Sequence, residues 1–180
     1  MFARTARLTL RPGWPEDAAQ LTRAIAHREV VEKLSRVPWP YSEAEAQGWL
    51  ARGPADRDVA LLILSHEGDY PRLVGGGGLH ADGTGAWEIA YWLTPDAWGR
   101  GYATEAGHAL TGMARHALGL GRLTARHWLD NPASGRVLDK LGFRRTGTGE
   151  MPCLARGGTA LPCATYALDL AAPPALAEAA

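Results

Sequence analysis

The chain has 180 residues, the size of one domain with a proper buried core. Its 19 lysines and arginines balance 19 aspartates and glutamates, so no basic excess points to nucleic acid, although a local basic patch is compatible with a neutral total. The longest apolar runs, such as residues 59–64, are far too short to cross a bilayer. MFARTARLTLRPG at the start carries arginines without an apolar signal core. Cys153 and Cys163 lie ten apart with no CxxC or histidine pattern, which reads as two reduced thiols rather than a disulfide or a zinc site. The expectation is a soluble cytoplasmic protein without a metal, binding neither membrane nor nucleic acid.

In chain order, residues 7–11 alternate around Leu8 and Leu10 as a first strand. Pro15 with Glu16 and Asp17 opens a helix whose inward face is Ala18, Leu21, Ala24 and Ile25. Ser42 and Glu45 form an S-x-x-E capping box for a second helix, with Ala46, Trp49 and Leu50 as its buried stripe; VPWPY, 37–41, connects the two. Residues 58–65 and 72–79 read as strands around a turn at 67–71, and 86–93 as the next strand, reached through ADGTG, 81–85. A long helix is predicted over about 101–118, with Ala103, Ala106, Leu110, Met113 and Ala117 at helical spacing. A strand over 123–129 follows, then a short helix over 132–141 between an Asn131 cap and a Gly142 stop. Strands over 143–148 and 164–170 complete a single domain, 1–170, and the tail AAPPALAEAA, 171–180, is expected to be disordered. Antiparallel strands followed by strand–helix–strand crossovers imply an α/β (α+β type) mixed sheet with helices on its faces.

WGRGYATEA, 98–106, places Gly99 and Gly101 directly ahead of the long helix. Unpaired N–H groups and a partial positive charge make such a start an anion site, and glycine lets backbone approach a phosphate. A tight strand-to-helix turn explains the same glycines equally well. Thr104 occupies the third glycine's place of a dinucleotide fingerprint, and no GK[ST] follows for a nucleotide-triphosphate loop.

EIAYWLTPDAWGRGYATEA, 88–106, resembles the acetyl-CoA motif of the GNAT N-acetyltransferase superfamily, in the form of its ribosomal-protein N-acetyltransferase (RimJ/RimL-like) branch. NPASGRVLDKLGF, 131–143, resembles that branch's second signature, and RLTLRP and PWPYSEAEAQGWL its opening. The resemblance covers residues 7–170. Trp98 at the head of the loop is ordinary for the branch, and Ala90 stands where it usually has glycine. The resemblance implies the GNAT fold, a mostly antiparallel sheet of about seven strands with helices on both faces. It implies that acetyl-CoA is the co-substrate and that an amine attacks it directly in a ternary complex.

Carried over residue by residue, the resemblance assigns Trp92, Leu93 and Thr94 to the strand that holds pantetheine and the acetyl carbonyl. Gly99, Arg100, Gly101, Tyr102, Ala103 and Thr104 go to the pyrophosphate, and Asn131 to the pantetheine arm as well as to the helix cap. Ser134 lies three, four and seven residues before Val137, Leu138 and Leu141, so it shares their inward face. A serine there either bonds back to its helix or faces a ligand, and the resemblance makes it the donor to the leaving thiolate. Glu88 is the candidate base, with an exposed strand charge as the alternative; His80, His127 and Asp130 are further candidates that no signature separates.

The acceptor is a protein N-terminus or a small-molecule amine, the protein a monomer or homodimer. An acetyl-CoA sensor without turnover, a degenerate dimerisation domain and an enzyme for longer acyl groups are the alternatives. Segments 28–41, 67–69 and 150–159 are expected on the acceptor side, the charges of the first and last balancing so that they exert no net pull on a polycation.

Overall fold

A computed structural model describes residues 1–55, 57–81 and 85–171. The tail from 172 onward and most of the ADGTG turn lie outside these. The sheet has eight strands in the order β1-β2-β3-β4-β5-β6-β8-β7, one more than the family pattern implies. The extra strand is β1 (Ala3–Arg4), two residues paired antiparallel with β2 (Leu8–Arg11). Every neighbour is antiparallel except β5 (Trp87–Leu93) against β6 (Arg122–Trp128). β3 (Val59–Ser65) and β4 (Arg72–Ala81) fill the middle, and β8 (Ala160–Asp169) sits inside the edge strand β7 (Arg144–Pro152).

Helices cover both faces. On one lie α1 (Ala18–Ile25), the single turn α2 (Arg28–Val31) and α3 (Glu43–Arg52). On the other lie α4 (Tyr102–His116) and α5 (Pro132–Lys140). β3 is buried on both faces, as a central strand between helical layers must be. Close seating of the layers explains the four glycines of β4: a Cβ on Gly76 would lie 2.7 Å from the Trp92 indole, and one on Gly77 3.0 Å from Leu110 of α4.

Most predicted elements stand where periodicity put them, and Ser42 accepts from the Glu45 N–H as a cap should. Several details differ. The last hairpin is longer than expected, β7 running on to Pro152 and β8 starting at Ala160, so that residues 150–152 are strand. Trp49 is 36% exposed, because α3 sits at the rim and only Ala46 of its stripe is buried. α4 stops at His116, so Ala114 rather than Ala117 closes its buried face. α2 is new, one turn being too short to display a period.

Candidate active site

β5 and β6 run parallel but pair only at Glu88 and Thr124, after which they part. The opening lies beside backbone that has lost its neighbour. Thr94 donates its N–H to the Val74 carbonyl at 2.9 Å, and the alternation of an antiparallel ladder turns Trp92 toward Gly76 in the same way. Of the three strand residues assigned from the motif, Leu93 therefore has its backbone toward the gap, joined by Tyr91. The Leu93 carbonyl accepts from the Trp98 indole at 2.9 Å, which folds the following loop back onto the strand.

That loop leads into α4. Gly99 (φ 73°) and Gly101 (φ 79°) both occupy the left-handed region, so turn geometry alone demands glycine at both. Gly101 is the N-cap and offers no side chain, whereas Ser42 caps α3 and Asn131 caps α5. Glu105 N–H is the first to bond within the helix, to Gly101, leaving those of Tyr102, Ala103 and Thr104 directed out of its end. The Tyr102 ring is fully buried and bonds Ser65 and Glu67, anchoring the turn from below. Arg7 donates to the Arg100 carbonyl at 2.9 Å and is itself held by Glu105 at 2.7 Å. Hydrogen bonding to Glu105 raises the pKa of the Arg7 guanidinium. Burial works against the Glu105 carboxylate, but bonds from Thr5 and Arg7 outweigh it and hold its pKa below the ordinary value. Glu67 also lies 3.9 Å from Arg100. The 67–69 turn thus belongs to the start of α4 and not to the acceptor side, because Tyr102 draws Glu67 there.

α5 stands across the gap. Asn131 accepts from the Ser134 N–H at 3.4 Å, and Gly142 (φ 85°) ends the helix, both as expected. The Ser134 hydroxyl lies 3.2 Å from that of Tyr91, whose pKa burial pushes up to about 12. Tyr91 escaped the sequence reading. Its one signal is a hydroxyl on the strand face it shares with apolar Ile89 and Leu93, where a polar group needs a partner.

The four base candidates separate. Glu88 shares a face with Trp92, opposite to Ser134's side, and accepts from Arg126 at 2.7 Å. His80 is its cross-strand partner and bonds Asp58 at 3.3 Å. His127 is buried on the other face, between the Trp128 carbonyl and the Tyr166 hydroxyl. Asp130 is paired with Lys33 at 2.9 Å and Arg156 at 2.8 Å; burial opposes its charge, but these two cations hold its pKa down. It ties segment 28–41 to the β7–β8 connection, which is also joined by the Leu154 N–H to the Ser35 carbonyl. VPWPY divides its roles: Val37 and Tyr41 pack inward, while Trp39 stays 40% exposed. Cys153 and Cys163 are buried free thiols beneath this region. Among the described residues no group of His, Cys, Asp and Glu could hold a metal, and no helix is long and apolar enough to cross a membrane.

The family model for the acetyltransferase (GNAT) domain matches residues 7–144. The uncharacterised N-acetyltransferase YoaA of Bacillus subtilis is 40% identical over 60 residues, a third of this chain (33%) and 34% of that protein. The uncharacterised N-acetyltransferase p20 of Bacillus licheniformis is 29% identical over 150 residues, 79% of this chain and 82% of that one. A GNAT-family acetyltransferase of Bacillus anthracis superposes with a TM-score of 0.77 at 22% identity, over 94% of this chain and 99% of its own. The microcin self-immunity acetyltransferase MccE, solved with acetyl-CoA and AMP, gives 0.76 at 16% identity over 92% and 93%. A putative ribosomal-protein-serine acetyltransferase of Vibrio cholerae gives 0.75 at 20% over 94% and 97%. With the split β5–β6 pair, the glycine turn into α4 and a family match over most of its length, this chain belongs to the GNAT acetyltransferase family.

Proposed function

We propose that the protein is a cytoplasmic, acetyl-CoA-dependent N-acetyltransferase of the ribosomal-protein (RimJ/RimL-like) branch, acting on a peptide N-terminus or a modestly charged primary amine. The observation that carries this reading is the gap where β5 and β6 part after Glu88 and Thr124, opening beside the uncapped start of α4. The N–H groups of Tyr102, Ala103 and Thr104 receive the pyrophosphate, with Gly99 and Gly101 shaping the turn and Arg100 adding charge. Leu93, between Trp92 and Thr94, presents backbone to the pantetheine arm, which Asn131 meets from α5. Ser134 donates to the sulfur as the amine attacks the thioester carbonyl and the C–S electron pair leaves with the thiolate. Glu88 takes the amine proton through water, from the face it shares with Trp92. The acetyl-CoA complex of MccE, a similar fold, supports the choice of co-substrate.

Much of the carboxylate charge on the acceptor side is already paired. Glu32 is paired with Arg28, and Asp130 with Lys33 and Arg156. Among the described residues of segments 28–41 and 150–159, only Glu29 and Glu150 are carboxylates outside these pairs, too few to gather a polycation, while Trp39 and Leu154, 40% and 52% exposed, offer apolar walls. The test is a competition in one tube between short peptides and an aminoglycoside at equal concentration, following thiol release and products. Peptide acetylation should dominate. Preferential aminoglycoside acetylation that fades steeply with salt would overturn the acceptor assignment, and thiol release that no amine raises above the amine-free rate, with no acetylated amine formed, would overturn transferase activity altogether.

A further inference from the structure

Tyr91 and Ser134 are 43 residues apart in sequence and meet across the gap between β5 and α5. The Tyr91 hydroxyl oxygen lies 3.2 Å from Ser134 Oγ and 3.2 Å from the Ser134 carbonyl oxygen, and it has one proton to donate. A carbonyl only accepts. When Tyr91 donates to it, the tyrosine oxygen is left to accept the Ser134 O–H, and the serine proton points down, away from the gap. When Tyr91 donates to Oγ instead, the Ser134 O–H turns outward to another acceptor. The two arrangements differ by rotation about two C–O bonds, with no heavy atom moved.

Among the described residues, the polar neighbours on β6 and β8 are engaged elsewhere. From β6, His127 Nδ1 lies 2.8 Å from the Trp128 carbonyl, so that nitrogen must carry the hydrogen. In the neutral ring Nε2 then accepts from the Tyr166 hydroxyl of β8 at 3.2 Å, which commits that proton too. Gly135 lets this pair press against the first turn of α5: a Cβ there would stand 2.9 Å from His127 Nε2 and 3.3 Å from the Tyr166 hydroxyl. Burial keeps Tyr91 protonated, its pKa pushed up to about 12.

We infer that Tyr91 is a positioning residue that holds the Ser134 hydroxyl turned inward at rest and backs it when it turns to the departing sulfur. The inference rests on the proposed acetyl transfer, with Ser134 facing the sulfur. A thiolate is a stronger acceptor than a phenol oxygen, so charge growing on the sulfur draws the Ser134 O–H outward. The Tyr91 O–H then swings from the carbonyl to Oγ. Both O–H bonds stay intact, and the interaction strengthens only as charge develops, so it lowers the barrier rather than tightening ground-state binding.

The test titrates the thiol of coenzyme A bound to wild type, Tyr91→Phe, Ser134→Ala and the double variant, by thiolate absorbance. Ser134→Ala should raise the bound thiol's pKa by about two units, and Tyr91→Phe by about half a unit to one unit, with coenzyme A affinity within about threefold of wild type. Tyr91→Phe should add nothing in the Ser134→Ala background, since it acts through that hydroxyl. Turnover should follow, with kcat of Tyr91→Phe lowered about threefold to tenfold and KM for acetyl-CoA unchanged. Effects that simply add in the double variant, or a Tyr91→Phe complex that titrates like wild type, would overturn the inference alone. Failure of wild type to bind coenzyme A would remove the proposed function and this inference with it.

Discussion

Ser134 and Gly101 are the two positions where single atoms decide most. Removing the Ser134 hydroxyl takes away a donor whose acceptor becomes charged only in the transition state. Ser134→Ala should therefore raise the barrier by about 2 to 4 kcal/mol while leaving the dissociation constant of acetyl-CoA within about twofold, as read from steady-state kinetics beside calorimetry. Gly101 occupies a left-handed conformation with φ 79°, where any Cβ is strained by roughly 1 to 2 kcal/mol. Gly101→Ala should distort the turn and weaken coenzyme A binding about tenfold or more; unchanged affinity would mean the three N–H groups of α4 hold nothing. The motif residues were legible because each acts through its own backbone or its own helix face. Tyr91 and Glu105 were not. Their partners, Ser134 and Arg7, are 43 and 98 residues away, and only the folded sheet brings them together.

Glu105 belongs to the scale of elements, because it joins α4 to the start of β2. It accepts from the Thr5 hydroxyl, the Arg7 N–H and the Arg7 guanidinium, and Arg7 in turn holds the Arg100 carbonyl in the glycine turn. Glu105→Gln leaves the arginine without its counter-charge and should lower unfolding free energy by about 1 to 3 kcal/mol in urea titrations, with a further loss of coenzyme A affinity. Elements with a full period of residues were visible in the sequence, since apolar spacing marks α1, α4 and α5 without reference to anything distant. β1 and α2 were not, being too short to show alternation or a helical stripe. The Glu67 turn departs from its expected position for a related reason: nothing local marks its contacts with Tyr102 and Arg100, 35 and 33 residues on.

For the molecule as a whole, two carboxylates tie distant parts together, Glu105 with Arg7 and Asp130 with Lys33 and Arg156, and a third, Asp17 with Arg11, holds the local entry to α1. Hydrogen bonding to Arg11 lowers the Asp17 pKa, and the other two are lowered as well against the cost of burial. A folded pKa below the unfolded one stabilises the fold above the ordinary carboxylate range, and the benefit is lost as pH falls through the folded value. Unfolding free energy should thus hold steady around neutrality and fall as pH drops below the ordinary values of 4.5 for Glu105 and 3.8 for Asp17 and Asp130; urea midpoints across that range check it. The β5–β6 gap and the uncapped start of α4 are proposed to form one acetyl-CoA site. The most direct test is backbone amide exchange, residue by residue, with and without acetyl-CoA. The amides of Tyr91 and Leu93 and those of Tyr102, Ala103 and Thr104 should slow together on binding. Protection confined instead to the hollow at the other end of the same strands, about 490 Å³ between Trp87, Gly121 and Arg122, would mean that the gap and the start of α4 do not hold acetyl-CoA.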